Sequence, residues 1–220
     1  MVITQIAALV PMRSGSERIK DKNSKFLSGK PLPFYILESL SKSEYISKIY
    51  IDTDSKEIAK MCVSEFPDLN VIIRPKSLAT GDTPMNAVLS NSIHSISEST
   101  IFQTHATSPF LKSQTISEAC RIYVEGLETS TLFSVSCLKE RLWSKEIKPI
   151  NHDPNALLRT QDLDIVYSEN SAFYIFDKSE FLKTKNRLSQ TPRPFELNFP
   201  EFWDLDEPWQ WQVAESILNP

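Results

Sequence analysis

The chain has 220 residues, 40% of them apolar and 24% charged, and carries a net charge of −4. That is long enough for one α/β domain with a full core, and the composition is that of a soluble globule without repeats or low-complexity tracts. The negative balance excludes a general nucleic-acid surface, so any anion-binding charge must be local. Cys62, Cys120 and Cys137 are scattered without a Cys-x-x-Cys, as expected of reduced core thiols in a cytoplasmic protein. The start, Met1-Val2-Ile3-Thr4-Gln5, lacks a basic segment and runs into Pro11, which predicts a strand rather than a signal peptide or membrane span.

Ile6-Ala7-Ala8-Leu9-Val10 reads as a buried strand. The loop that follows, from Pro11 to Asn23, holds Arg13, Arg18, Lys20 and Lys22 around Ser14, Gly15 and Ser16. Gly15 frees the backbone to turn and the serines keep it small, so neighbouring N–H groups can converge on an anion. Arg13 and Lys22 add charge from opposite ends. A triphosphate-binding edge of an α/β sheet requires this combination, although a solvated connection can look similar. The loop is neither a Walker sequence nor a Gly-x-Gly-x-x-Gly fingerprint.

Phe34, Ile36, Leu37 and Leu40 predict a short helix after Pro31-Leu32-Pro33, and residues 48–52 a second strand. Asp54 with Glu57 predicts a capping box for a helix that buries Ile58, Met61, Cys62 and Phe66. Residues 71–73 form a third strand. Thr83 caps a helix bearing Met85, Val88, Leu89, Ile93 and Ile96, followed by a fourth strand over 100–104. A helix over 113–125, closed by Gly126, leads to a strand over 131–138. This alternation predicts a doubly wound, mostly parallel sheet. The rhythm changes over 141–170, where Trp143, Pro149, Asn151, His152 and Pro154 predict an extended excursion before a strand over 171–176. A strand over 194–197 and a helix over 208–218 complete the chain.

Asp204 and Asp206 stand one residue apart. In extended chain both carboxylates point the same way, which suits a divalent cation; alternatively Asp206 caps the last helix. Asp52 and Asp54 form a second Asp-x-Asp, of the kind that holds the metal in nucleotide-sugar glycosyltransferases. Asp54 is better explained as a helix cap.

The pattern Val-Pro-x-Arg-x-x-Ser-x-Arg-Ile-x-x-Lys-Asn over residues 10–23 resembles the signature loop of the acylneuraminate cytidylyltransferases, the CMP-sialic acid synthetase family. Later stretches resemble that family in order: Arg74-Pro75 with Gly81-Asp82-Thr83-Pro84, Gln103 to Leu111, Leu158 to Tyr167, Glu169 to Ile175, and Trp203-Asp204-Leu205-Asp206.

The resemblance implies a Rossmann-like nucleotidyltransferase fold, with residues 1–220 as one domain and 139–170 as a dimerisation and substrate arm. It implies transfer of CMP from CTP to the anomeric hydroxyl of a 2-keto-3-deoxy sugar acid, with release of pyrophosphate. Arg13 and Lys22 would balance phosphate charge, assisted by Ser14, Gly15, Ser16 and Asn23. Arg74 and Asn86 fall at cytosine-binding positions. His105 stands in the place of a sugar-facing Gln, with Thr107, Ser108, Arg159, Gln161, Asn170 and Tyr174 also on the sugar. Asp204 and Asp206 would hold Mg²⁺. A homodimer follows from the arm, and neither nucleic acid nor membrane is expected as a partner. The competing expectations are a glycosyltransferase using Asp52 and Asp54, and a catalytically silent CTP-binding protein.

Overall fold

The computed structural model describes residues 5–126 and 131–219; residues 1–4, part of the stretch read as a leading strand, lie outside the described residues. The first half of the chain forms β1 (Ile6–Pro11), β2 (Phe26–Leu27), β3 (Lys30–Pro31), α1 (Leu32–Ser41), β4 (Ile46–Thr53), α2 (Lys56–Glu65), β5 (Asn70–Ile73), α3 (Met85–Ser92) and β6 (Thr100–Thr104). The second half forms α4 (Ser113–Glu125), β7 (Thr131–Leu138), β8 (Val166–Asp177), α5 (Lys178–Thr184), β9 (Arg193–Glu196) and α6 (Pro208–Leu218).

Seven strands build one sheet in the order β5-β4-β1-β6-β8-β7-β9. Strands β5, β4, β1 and β6 run parallel, β8 is antiparallel to both of its neighbours, and β9 is parallel to β7. The mostly parallel α/β expectation is met. Successive residues of β1 point to opposite faces and both faces are covered, which is why the strand is apolar throughout. Ala8 and Val10 pack with Phe102, Ile36, Ile58, Cys62 and Cys120 on one side. Ala7 and Leu9 pack with Leu89, Ile93, Tyr174 and Phe181 on the other. Burial pushes the Cys62 and Cys120 thiols up to about 12, so they act as core volume rather than nucleophiles.

Several boundaries move. Asp54 does not cap α2; Ser55 does, its hydroxyl accepting from the Ile58 N–H at 3.2 Å. Asp54 is drawn away because both of its oxygens are used by Ser14, at 2.8 Å from the N–H and 2.6 Å from the hydroxyl. Thr83 does not cap α3 either: Pro84 occupies that position, and the Thr83 hydroxyl pairs with that of Thr80 at 2.7 Å. Gly15 does not adopt a left-handed backbone; the positive φ in this loop belongs to Asp21, at 53°. Nor does close packing require glycine there, since a Cβ would meet nothing within 4 Å. The excursion ends earlier than the sequence suggests, because β8 begins at Val166, so residues 166–170 of the expected arm lie in the sheet. Helix α5 was not anticipated, although Asp177-Lys178-Ser179-Glu180 carries a cap signal, with the Asp177 carboxylate accepting from the Glu180 N–H at 2.9 Å.

The β7–β8 pairing shifts register: Phe133 faces Tyr174, but Val135 faces Glu169. The extra residues on β8 form a bulge, with Ser171 at φ 60°. A Gly is the usual solution at such a φ; here a Ser bears the strain.

Candidate active site

The loops at the carboxyl ends of β1, β5 and β6 converge on a cavity of about 520 Å³, the position at which open α/β sheets bind ligands. Arg13, Arg18, Lys22, Arg74 and Arg187 line it, against Glu17, Asp204 and Asp206. A chain of negative net charge thus gathers a local excess of cations, as an anionic ligand demands.

The first loop is held at both ends. The Asn23 side chain donates to the Arg13 carbonyl at 2.9 Å, and Asp54 holds Ser14. Burial acts to raise the Asp54 carboxyl, but the hydrogen bonds from Ser14 prevail and hold it below the usual range. Ser14 and Gly15 face away from the cavity, while Ser16 lines it. Arg13 reaches Glu17 at 3.7 Å, and Gly81 passes so close that a Cβ there would fall 2.0 Å from Glu17 Oε1.

Asp204, Leu205 and Asp206 run along the opposite wall. Leu205 is fully buried among Ile19, Leu27, Leu32 and Trp211, and its N–H donates to the Thr107 carbonyl at 3.1 Å. Alternation about this anchor sends both carboxylates to the cavity. Lys22 spans the gap, its Nζ donating to the Leu205 carbonyl and to Asp206 Oδ1, both at 2.8 Å. Arg18 reaches Asp206 Oδ2 at 3.0 Å. Glu207, with Gln210 in a reciprocal capping box, caps α6, so Asp206 is not a helix cap. Burial pushes the Asp204 carboxyl up, and its Oδ1 is buried without a hydrogen-bond partner. Burial also acts on Asp206, but Lys22 and Arg18 bring its carboxyl below the usual range.

His105 lies beyond β6, half-buried at the cavity. Burial, then the charge of Arg187, lower its imidazole to about 4, so it is neutral at pH 7. Its tautomer follows from its neighbours. Arg187 can only donate, so Gln103 offers it the carbonyl oxygen, at 2.6 Å. The Gln103 amide NH₂ then faces His105 Nε2 at 2.9 Å, which must accept and leaves the proton on Nδ1.

The other expected residues divide. Thr107 lines the cavity; Ser108 is buried beneath it, its N–H on the His105 carbonyl. Arg74 lines the cavity with its guanidinium on the buried Asp52 carboxylate, whose other oxygen accepts from Ser92. Asn86 faces Asn186 at 3.3 Å instead. Asn170 lines a neighbouring cavity of about 420 Å³ that shares Asp204. Tyr174 is fully buried, with its hydroxyl on Glu169 and Ser171. Arg159 and Gln161 are exposed on the excursion, where Arg159 pairs with Asp162, and neither lines the cavity. Asp52 and Asp54 are consumed by Arg74, Ser92 and Ser14, which removes the basis for a glycosyltransferase metal pair. The sequence reading missed Arg187, which sits in a loop without motif or periodicity, and gave no separate role to Arg18.

A family model described as "Cytidylyltransferase" matches residues 7–211. The chain belongs to the cytidylyltransferase family. Among relatives of this family member, the N-acylneuraminate cytidylyltransferase of Escherichia coli O18:K1:H7 is 29% identical over 97% of the chain and 52% of its own length. The CMP-N,N'-diacetyllegionaminic acid synthase of Legionella pneumophila is 28% identical over 98% of the chain and 97% of its own length. The pseudaminic acid cytidylyltransferase of Campylobacter jejuni is 23% identical over 80% of the chain and 79% of its own. The chain thus spans about half the length of the N-acylneuraminate cytidylyltransferases it matches, and nearly all of the legionaminic acid synthase. In fold it is similar to a CMP:2-keto-3-deoxy-manno-octonic acid synthetase solved with CTP, at a TM-score of 0.72 and 11% identity over 98% of each chain. It is equally similar in fold to the 4-diphosphocytidyl-2C-methyl-D-erythritol synthase of Anaerococcus prevotii, at a TM-score of 0.72 and 11% identity over 99% of the chain and 97% of that one.

Proposed function

We propose that this chain transfers CMP from CTP to the anomeric hydroxyl of a 2-keto-3-deoxy sugar acid of the sialic, legionaminic or pseudaminic type, releasing pyrophosphate. The observation that carries this is the first loop facing Asp204 and Asp206 across one cavity, with Lys22 bridging the two walls. The named activities of the relatives support it.

Phosphoryl-type transfer needs positioning and charge neutralisation more than covalent chemistry. Arg13 and Lys22 balance charge on the α-phosphate and the leaving pyrophosphate, and Ser16, whose N–H already donates to the Ser14 carbonyl at 3.1 Å, offers its hydroxyl to the same anion. Arg74, rigid on Asp52, presents its remaining donors to the base. His105 holds its proton on Nδ1 and has Nε2 occupied by Gln103, so it orients the acceptor by donating a hydrogen bond and does not serve as the general base. Asp204 and Asp206 suit Mg²⁺: the orphaned Asp204 oxygen is an acceptor that a cation would satisfy. Among the described residues no three His, Cys, Asp or Glu groups converge, so phosphate oxygens and water would complete the ligand set. Bound there, Mg²⁺ would neutralise phosphate charge and raise the acidity of the attacking hydroxyl.

The protein acts as a homodimer. Residues 139–165 expose Trp143, Ile147, Ile150, Leu157, Leu158 and Ile165, an apolar surface that a second copy would cover. Arg159 and Gln161, remote from their own cavity, are the arm residues available to a partner's site. Three free cysteines fit a reducing cytoplasm, and among the described residues no helix is long and apolar enough to cross a membrane.

The test is pyrophosphate release from CTP and Mg²⁺ with N-acetylneuraminate, N,N'-diacetyllegionaminate and pseudaminate in turn, with ATP, GTP and UTP as controls. Release is expected with CTP and one acceptor; silence with all three sugar acids would overturn the assignment.

A further inference from the structure

The segment after α5 carries one side chain into the cavity and is braced to do so. Lys185 ends the helix at φ 56°, its N–H donating to the Phe181 carbonyl at 2.7 Å. The Thr184 hydroxyl donates to the Asn186 carbonyl at 3.2 Å, and Asn186 Oδ1 accepts from the Leu188 N–H at 3.2 Å and from Asn86 on α3 at 3.3 Å. Thr131, at the start of β7, clasps the other side: its hydroxyl donates to the Arg187 carbonyl and accepts from the Ser189 N–H, both at 3.1 Å. Arg187 is thus carried by a rigid peptide tied to two elements.

Its side chain is only 16% exposed, and its guanidinium is held in place without being neutralised. Its centre lies 3.5 Å from the Tyr174 ring centroid, Nη1 donates to Gln103 at 2.6 Å, and Nη2 is 3.9 Å from Glu169 Oε1. That Glu169 oxygen already accepts from the Tyr174 hydroxyl. The other well-covered cations of the cavity are answered closely: Lys22 by Asp206 at 2.8 Å and Arg74 by Asp52. Covering a cation without a close counter-ion is costly, and arginine does not escape the cost by losing its proton. Such a group is fitted to an anion that arrives with the ligand. Arg13 and Lys22 serve the triphosphate at the first loop. His105 lines the same cavity and is joined to Arg187 through Gln103.

We propose that Arg187, stacked on Tyr174 and oriented by Gln103, binds the carboxylate of the acceptor sugar acid. The inference rests on the function proposed above, whose acceptor carries one obligatory carboxylate beside its reacting carbon. Through Gln103 the same guanidinium fixes the His105 tautomer, so charge recognition and acceptor orientation are linked in one hydrogen-bonded chain.

The experiment compares wild type with Arg187→Met and Arg187→Lys in steady-state pyrophosphate release. The acceptor is whichever of N-acetylneuraminate, N,N'-diacetyllegionaminate and pseudaminate wild type turns over fastest, used as the acid and as its C1 amide. Arg187→Met is expected to raise the acceptor KM by roughly 10- to 100-fold while the CTP KM stays within about twofold, with Arg187→Lys between. Amidation should penalise wild type by a similar factor and Arg187→Met hardly at all. An unchanged acceptor KM, or an amide penalty as large in Arg187→Met as in wild type, overturns the proposal while leaving the reaction intact. Should Arg187→Met fail to melt cooperatively, Arg187→Lys decides, by an acceptor KM or amide penalty that either moves or equals wild type. If wild type releases no pyrophosphate with any of the three acids, the functional reading fails and this proposal falls with it.

Discussion

Lys22 joins the two walls of the cavity, with one ammonium on both the Leu205 carbonyl and Asp206. Lys22→Ala therefore removes a phosphate cation and loosens the aspartate segment together. Turnover with CTP is expected to fall by roughly 100-fold or more with little change in melting temperature, since electrostatic positioning of this kind is worth that much; turnover at the wild-type rate would refute the role. His105 offers a pH test. Burial, aided by Arg187, sets its folded pKa at about 4, below the ordinary imidazole value of about 6.5. A depressed histidine contributes stability in full above the unfolded value, and that contribution is lost as pH falls through the folded one. Wild type should therefore lose up to roughly 3 kcal/mol between pH 6.5 and pH 4 that His105→Gln does not lose, read from urea midpoints along that range. The two residues also differ in how visible they were. Lys22 sits in an ordered motif and its place at the cavity was legible; that of Arg187 was not, because its surroundings, Gln103 and Tyr174, are far off in sequence and adjacent only through β6–β8 pairing.

At the scale of elements, the carboxyl end of β4 determines how rigid the site is. Asp52 is buried on the Arg74 guanidinium and Ser92, which ties β4 to the loop after β5 and to α3. Asp52→Asn leaves Arg74 without its charge partner, and breaking a buried pair in this way costs about 3–5 kcal/mol. A drop in melting temperature should accompany a raised CTP KM; an unchanged melting temperature would mean that the pair is not structural. Strands and helices were largely legible here because apolar periodicity and Pro or Gly punctuation are local signals. The caps of α2 and α3 were misread for a physical reason. Asp54 satisfies any local capping rule, but Ser14, distant in sequence, offers it two donors and wins. The bulge in β8 escaped notice as well, since its two halves obey different registers against one partner strand.

At the scale of the molecule, residues 139–165 carry the exposed apolar side chains that are proposed above to pair with a second copy. Leu157 is 87% exposed and Ile147 74%. Trp143→Asp is expected to convert dimers to monomers by light scattering; a persistent dimer would locate the interface elsewhere. The antiparallel placement of β8 has another consequence, for synthesis. This strand is the seam of the sheet, pairing with β6 on one side and β7 on the other. A nascent chain that has emerged only as far as residue 165 can build β5-β4-β1-β6, but β6 is then an open edge and β7 has no partner. Such an edge is a template for pairing with other chains. The ribosome must therefore deliver residues 166–177 before that edge finds a neighbour, and the stretch that closes it also brings Ser171 and Tyr174 to the site. Closing that edge supplies only part of the pocket, which is complete once Arg187, Asp204 and Asp206 have followed.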